Sequence, residues 1–290
     1  MNKNKNKNEF TLVKKLQQKA YQILLLSDGR LSSQYMFVIN IHNKDDFDKI
    51  DMSIKSKGQI LDYKELSDGS IMTTIDKIGF NIYKIFGKAY SLKHSVKIND
   101  CFALKVIELK LNFLISCNNN FPDKTELTLW ELRNKKYINV SSIKVDKCEI
   151  PTALDLVKIA DDKIVTVMGS RNTKVQFWLI DNYTFKNYST LTNIEFPFGL
   201  FMYDKNTLLI GNPRGYINII NINTTQVTTK FKYSDNDVTS IYITSLIKLS
   251  NGNIIFDYTK DPNMIGKSRK SYLVEYTFGK EIKNILMSVQ

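Results

Sequence analysis

A chain of 290 residues with 41 Lys and Arg against 29 Asp and Glu, a net charge of +12, has room for one closed all-β domain or two smaller domains. Its 43% apolar content, with 16 Phe and 15 Tyr but only 5 Pro and 12 Gly, supplies a core and excludes long linkers. Three scattered cysteines without a CxxC pair, together with two histidines, exclude a disulfide framework and a Cys/His zinc site, so no metal or cofactor is expected.

Residues 1–8 alternate Asn and Lys and read as a disordered tail ahead of one domain over 9–290. The tail has no apolar stretch of the kind a signal peptide needs, and no later run approaches the roughly 18 apolar residues of a membrane span. A cytoplasmic or nuclear protein without a membrane span is expected. Phe10 to Leu16 reads as an outermost strand arriving before the first repeat unit.

The first unit offers strands at Tyr21–Leu26, Arg30–Gln34, Met36–Ile41 and Phe47–Lys55, the first pair joined by Ser27-Asp28-Gly29. The second repeats it: Gly58–Leu66, predicted innermost, then the turn Ser67-Asp68-Gly69, Ser70–Ile75, Phe80–Ile85 and a polar, edge-like strand over Tyr90–Ile98. Asp bonds locally in such a turn and Gly accepts positive φ. Units three, four and five keep the strands but turn through Lys110-Leu111-Asn112, Ala160-Asp161-Asp162 and Asp204-Lys205-Asn206. The sixth has Leu246–Leu249, Ser250-Asn251-Gly252, Asn253–Tyr258, a strand around Leu273 and Glu281–Val289.

The third strand of every unit carries one pattern, an apolar–any–apolar triplet, a bulky residue, a variable one and another apolar one. Examples are Phe80-Asn81-Ile82-Tyr83-Lys84-Ile85 and Leu127-Thr128-Leu129-Trp130-Glu131-Leu132. The bulky positions Ile39, Tyr83, Trp130, Trp178, Ile220 and Val274 are 44, 47, 48, 42 and 54 residues apart. A period in the forties with four short strands per unit is the mark of a β-propeller, an all-β ring of four-stranded blades. Six blades are favoured by the count; seven, with one degenerate blade, remain open.

The segments Leu26-Ser-Asp-Gly-Arg-Leu-Ser-Ser33 and Leu66-Ser-Asp-Gly-Ser-Ile-Met-Thr-Thr74, each followed by the triplet strand, resemble WD40 repeats. The resemblance covers residues 10–290, most strongly in the first two units. The family's Trp-Asp dipeptide is eroded, its Trp position holding Trp only at Trp130 and Trp178, and its Gly-His dipeptide is absent. The resemblance implies a non-catalytic protein-interaction scaffold, a platform within a larger assembly and itself monomeric there.

Chemistry is hard to find. There is no G-x-S-x-G elbow, and two His leave little for a triad. The sequence Asp261-Pro-Asn-Met-Ile-Gly-Lys-Ser268 ends like a phosphate-binding loop but lacks its first Gly and precedes a strand. Acids fall in turns, where local hydrogen bonding explains them. No catalytic residue is assigned, and a propeller enzyme with a channel-mouth site is the third reading. Loops between second and third strands are the candidate surface, because the strands are committed to the core. Phe121 and Met264 are taken as apolar anchors, with Lys260, Lys267, Arg269 and Lys270 as the basic part of a protein-binding face. The net charge makes a nucleic-acid-associated propeller the alternative. Against it, 36 of the 41 basic residues are Lys, since Arg occurs at five positions only, and a Lys, Asn and Ile surplus also follows from AT-rich coding.

Overall fold

The computed structural model describes residues 22–46, 49–98, 103–120, 124–145, 154–168, 174–194, 197, 199–212, 216–232, 241–248, 254–260 and 271–276. Blade one is β1 (Gln22–Leu25), β2 (Leu31–Tyr35), β3 (Val38–His42) and β4 (Ile50–Lys55), and blade two is β5 (Ile60–Glu65), β6 (Ile71–Ile75), β7 (Gly79–Phe86) and β8 (Ala89–Lys97). Blade three is β9 (Ala103–Lys110), β10 (Phe113–Asn120), β11 (Lys124–Arg133) and β12 (Lys136–Val145), and blade four is β13 (Leu154–Ala160), β14 (Lys163–Met168), β15 (Lys174–Asp181) and β16 (Thr184–Leu191). Blade five is β17 (Gly199–Asp204), β18 (Thr207–Gly211), β19 (Tyr216–Asn221) and β20 (Gln226–Lys232); a last sheet holds β21 (Ile241–Lys248), β22 (Ile254–Lys260) and β23 (Ser271–Tyr276).

Each sheet is an antiparallel meander in chain order, the arrangement that short turns permit. First strands of successive sheets touch one another, β5 against β9, β9 against β13, β13 against β17 and β17 against β21, so the sheets radiate from a common axis. The expected innermost strand of unit two is therefore β5, and the expected edge strand is β8, exposed along most of its length. The fold is a single β-propeller of four-stranded blades. The expected six, or seven, blades are corrected to five four-stranded ones, with β21–β23 forming a three-stranded sheet among the described residues. The repeated pattern marks third strands, and so counts sheets whether or not a fourth strand completes them. The outermost strand expected over Phe10–Leu16 and the sixth-unit strand expected over Glu281–Val289 lie outside the described residues.

The core is a set of seams between neighbouring blades. Ile39, Ile41 and Ile54 of blade one meet Ile60, Tyr63 and Tyr83 of blade two. Phe80 and Ile82 meet Val106, Leu114 and the half-buried Trp130 of blade three. Leu127 and Leu129 meet Trp178 and Phe185 of blade four, and Val175 and Phe177 meet Ile210 and Ile220 of blade five. The repeats of blades two, three and four thus each feed two seams: the triplet faces the next blade and the bulky residue faces the preceding one. A β-bulge between third and fourth strands, at Ile82/Tyr83, Leu129/Trp130, Phe177/Trp178 and Ile219/Ile220, falls between the two sets. Bulges re-aim side chains in this way.

This register corrects the reading of unit one. Its bulge lies at Ile41/His42, and Ile39 and Ile41 both face blade two, so the bulky position is His42 rather than Ile39. His42 Nε2 lies 2.8 Å from Ser33 Oγ. In blade three Trp130 Nε1 donates to Ser116 Oγ at 2.8 Å, and in blade four Trp178 Nε1 donates to Thr166 Oγ1 at 3.0 Å. Ser33, Ser116 and Thr166 each pair with the residue two before the bulky one, so a ring nitrogen bonded to a second-strand hydroxyl recurs in three blades. In blade two the equivalent Tyr83 hydroxyl accepts instead from Asn81, 3.0 Å away.

Candidate functional site

An antiparallel meander sends its first and third turns to one end of the blade, the turn end. Its second turn and the linkers between blades go to the opposite, loop end. The turn end is knitted together. In the Ser-Asp-Gly turns Gly29 and Gly69 take φ of 85° and 75°, and Asp28 and Asp68 accept the amides of Arg30 and Ser70 at 3.0 Å. The serine of each turn reaches the next blade. Ser27 donates its amide and hydroxyl to the Glu65 carboxylate, both at 2.7 Å, and Ser67 does the same to Glu108 at 2.7 and 2.8 Å. Blades four and five lose this latch, since Lys158 and Met202 stand where Glu108 would recur. Removing a charge-assisted acceptor costs about 1 kcal/mol at a solvent-exposed site. Glu108→Ala is therefore expected to lower unfolding stability by that amount in a urea titration, and Ser67→Ala, which keeps the amide bond, by less.

The channel carries a second set of contacts that no motif announced. At one height on each first strand stand Gln22, Asp62, Lys105 and Asp155, paired across to Gln34, Thr74, Cys117 and Val167, with Gly199 taking the place in blade five. Each of the four side chains is bonded or ion-paired to a neighbouring blade. Gln22 Nε2 donates to the Tyr63 carbonyl at 3.2 Å and its Oε1 accepts the Tyr63 amide at 3.3 Å. Lys105 Nζ lies 3.4 Å from Asp62 Oδ2, and Asp155 Oδ2 accepts the Leu200 amide at 2.7 Å. Burial works against the charge of Lys105, but the carboxylates of Asp62 and Asp155 outweigh it and hold the ammonium above its ordinary pKa. A nucleophilic or Schiff-base lysine needs the reverse shift. The arrangement fastens strands and disfavours amine chemistry.

The two ends differ in charge. Arg30–Asp28, Lys88–Asp51, Lys93–Asp68, Arg133–Glu131, Lys158–Asp161 and Lys186–Asp181 all pair at the turn end. The loop end presents Lys55, Lys57, Lys77, Lys97 and Lys144 exposed, against Asp76 and Glu126, both half-buried. Tyr35 and Phe37 are exposed there to 38% and 45%. A shallow cleft of about 230 Å³ opens at the turn end between blades three and four, lined by Phe113, Tyr183, Lys110, Asp161 and Asp162 among others. Lys110 Nζ already sits 4.9 Å from the Phe113 ring centroid.

Of the residues assigned to the docking face from sequence, Lys260 closes β22 at the loop end. Phe121, Met264, Lys267, Arg269 and Lys270 lie outside the described residues. Trp130 and Trp178 are packed between blades. Among the described residues no cluster of three or more His, Cys, Asp or Glu side chains is arranged to hold a metal ion, and no helix is long and apolar enough to cross a membrane.

No family model and no curated protein matches the sequence. Solved structures do. The WD40 β-propeller domain of Doa1 is similar with a TM-score of 0.58, over 91% of this chain and 84% of that one, at 14% identity. The chain is a WD40-like propeller in architecture, and at that identity the likeness establishes fold alone.

Proposed function

We propose that this chain is a non-catalytic interaction platform, a propeller that binds protein partners through its loop end within a larger assembly. The observation carrying this reading is the contrast between the ends. Six basic side chains of the turn end are paired with carboxylates and the polar groups of the channel bond neighbouring blades, whereas the described loop end offers five exposed lysines against two half-buried acids, beside Phe37 and Tyr35. Conserving rigid strands while varying loops is how a scaffold separates stability from recognition. Residues 9–290 form the platform in this reading, and 1–8 a basic tail. Phe121, Met264, Lys260, Lys267, Arg269 and Lys270 extend the surface along the later loops, with no cofactor required.

The test is affinity purification of the full chain from its native cell, beside the Lys267→Glu/Arg269→Glu/Lys270→Glu variant and a turn-end control, Lys84→Glu/Lys136→Glu. Partners that survive the control and are lost from the loop variant support the platform and its placement. Partners lost only from the control would move the docking surface to the turn end, and recovery of no protein at all would sink the platform reading.

A further inference from the structure

The seam between blades one and two is the one part of the loop end where the linker, both connections and their side chains are all described. Backbone bonds lock it: the Ser56 amide donates to the Phe37 carbonyl at 2.8 Å, Ile60 to Met36 at 2.8 Å, and Asp76 to Gln59 at 2.9 Å. Gly58 packs so closely on blade two that a Cβ there would stand 2.7 Å from Ile75 Cγ2. On this fixed frame Phe37 and Tyr35 keep 45% and 38% of their surface exposed, flanked by Lys55 and Lys57, with Lys97 at the end of the neighbouring edge strand. None of these three lysines has an acidic partner among the described residues, and Asp76 is the one carboxylate on either connection.

Resting on the platform reading above, we infer that this seam binds an acidic polypeptide segment of the partner, its carboxylates on Lys55, Lys57 and Lys97 and an apolar side chain against Phe37. Charge complementarity selects the sign of the partner. The type of cation selects its class. No arginine occurs between Arg30 and Arg133, and Arg30 stands in the first turn at the opposite, turn end, so the loop end of blades one and two offers point-charge ammonium groups and no guanidinium fork. Carboxylates on a flexible chain are served by such groups, while recognition of a phosphodiester backbone draws on the fork's planar, bidentate geometry. Two rings at one seam also fall short of the run of stacking platforms along which a single strand is tracked.

Two fluorescent probes decide the matter: an eight-residue peptide of glutamates with one central phenylalanine, and a 12-nucleotide oligouridylate. The peptide is expected to bind the full chain and to weaken with rising salt. Lys55→Glu/Lys57→Glu should weaken it about tenfold or more and Phe37→Ser several-fold, with Lys84→Glu/Lys136→Glu close to wild type. Circular dichroism of each variant checks that it is folded. Oligouridylate binding tighter than the peptide, and lost in the same variants, would overturn the inference in favour of nucleic acid. Equal weakening by the turn-end control, or no peptide binding, would overturn it outright. The platform reading is judged separately: native partners retained by Lys55→Glu/Lys57→Glu but lost from the later-loop variant would leave it standing without this seam.

Discussion

Replacing Lys105 by Met is expected to destabilise the ring by about 2–4 kcal/mol, more than any other charge removal here. Asp62 is 2% exposed and its Oδ2 has no hydrogen-bond partner among the described residues, so the ammonium 3.4 Å away is what compensates its charge. The range sits below the cost of about 3–5 kcal/mol for breaking a fully buried pair because 29% of the Lys105 side chain faces the channel. Two further measurements separate charge from packing. Asp62→Leu/Lys105→Met should recover much of the loss, since no lone carboxylate remains and Asp155 still holds the Leu200 amide. The pH dependence should also differ. Folding raises the Lys105 pKa above 10.5, so its contribution is complete below pH 10.5 and is lost as pH climbs through the folded value. Wild type should lose stability more steeply in that alkaline window than Lys105→Met, whose remaining slope comes from tyrosines such as Tyr63 and Tyr137 that burial holds neutral. An equal alkaline slope in both proteins, or no recovery in the double variant, would show that the lysine acts through its methylenes alone.

Much of the ring was legible because a third strand has to satisfy two seams at once. The triplet and the bulky residue are constrained by different neighbouring blades, and that double demand leaves a pattern strong enough to find without any Trp-Asp dipeptide. Unit one shows where it fails. Ile39 is apolar, large and near the right place, whereas the residue that occupies the bulky position is His42, which a search for apolar residues passes over. What identifies His42 is the bulge after Ile41, and a bulge is a property of pairing between strands that a single strand's sequence does not display. Blade number was overcounted for a related reason. The third strand is the most heavily patterned of the four, and the fourth, half in water, is the least.

The channel layer was invisible for the opposite reason. Asp62, Lys105 and Asp155 are 43 and 50 residues apart and differ in sign, so no residue type repeats. Only their height in the register does, three residues before Glu65, Glu108 and Lys158. Aligning the units on their first turn would have stacked Gln22, Asp62, Lys105 and Asp155 in one column, and a polar column on an innermost strand is the signal that was available. The serine–glutamate latches were hidden likewise: Ser27 and Ser67 read as turn formers, which they are, while their partners stand 38 and 41 residues away on another blade. The loop end was legible as a location, since a meander fixes which connections share an end. Its charge contrast with the turn end was not, because pairing of acids with lysines depends on which side chains the strands bring side by side, as with Lys93 and Asp68.

Trp178→Ala is expected to cost about 3–5 kcal/mol, the range for truncating a large aromatic in a packed core. The indole is 4% exposed and sits among Leu109, Ile115, Leu129 and Leu156, so its loss opens a cavity on the seam that joins blade three to blade four. It also strands the buried Thr166 hydroxyl to which Nε1 donates at 3.0 Å. Trp178→Phe divides these effects. Most of the ring volume stays, the hydroxyl loses its donor, and about 1–2 kcal/mol should be lost. Trp130→Ala makes the comparison within one protein. That indole donates a similar bond, to Ser116, but is only half-buried, so its truncation should cost less than that of Trp178. Urea unfolding followed by circular dichroism reads all three. If Trp130→Ala were the more damaging, the load on the seams would lie between blades two and three, and the assignment of Trp178 as the tighter strut would be wrong.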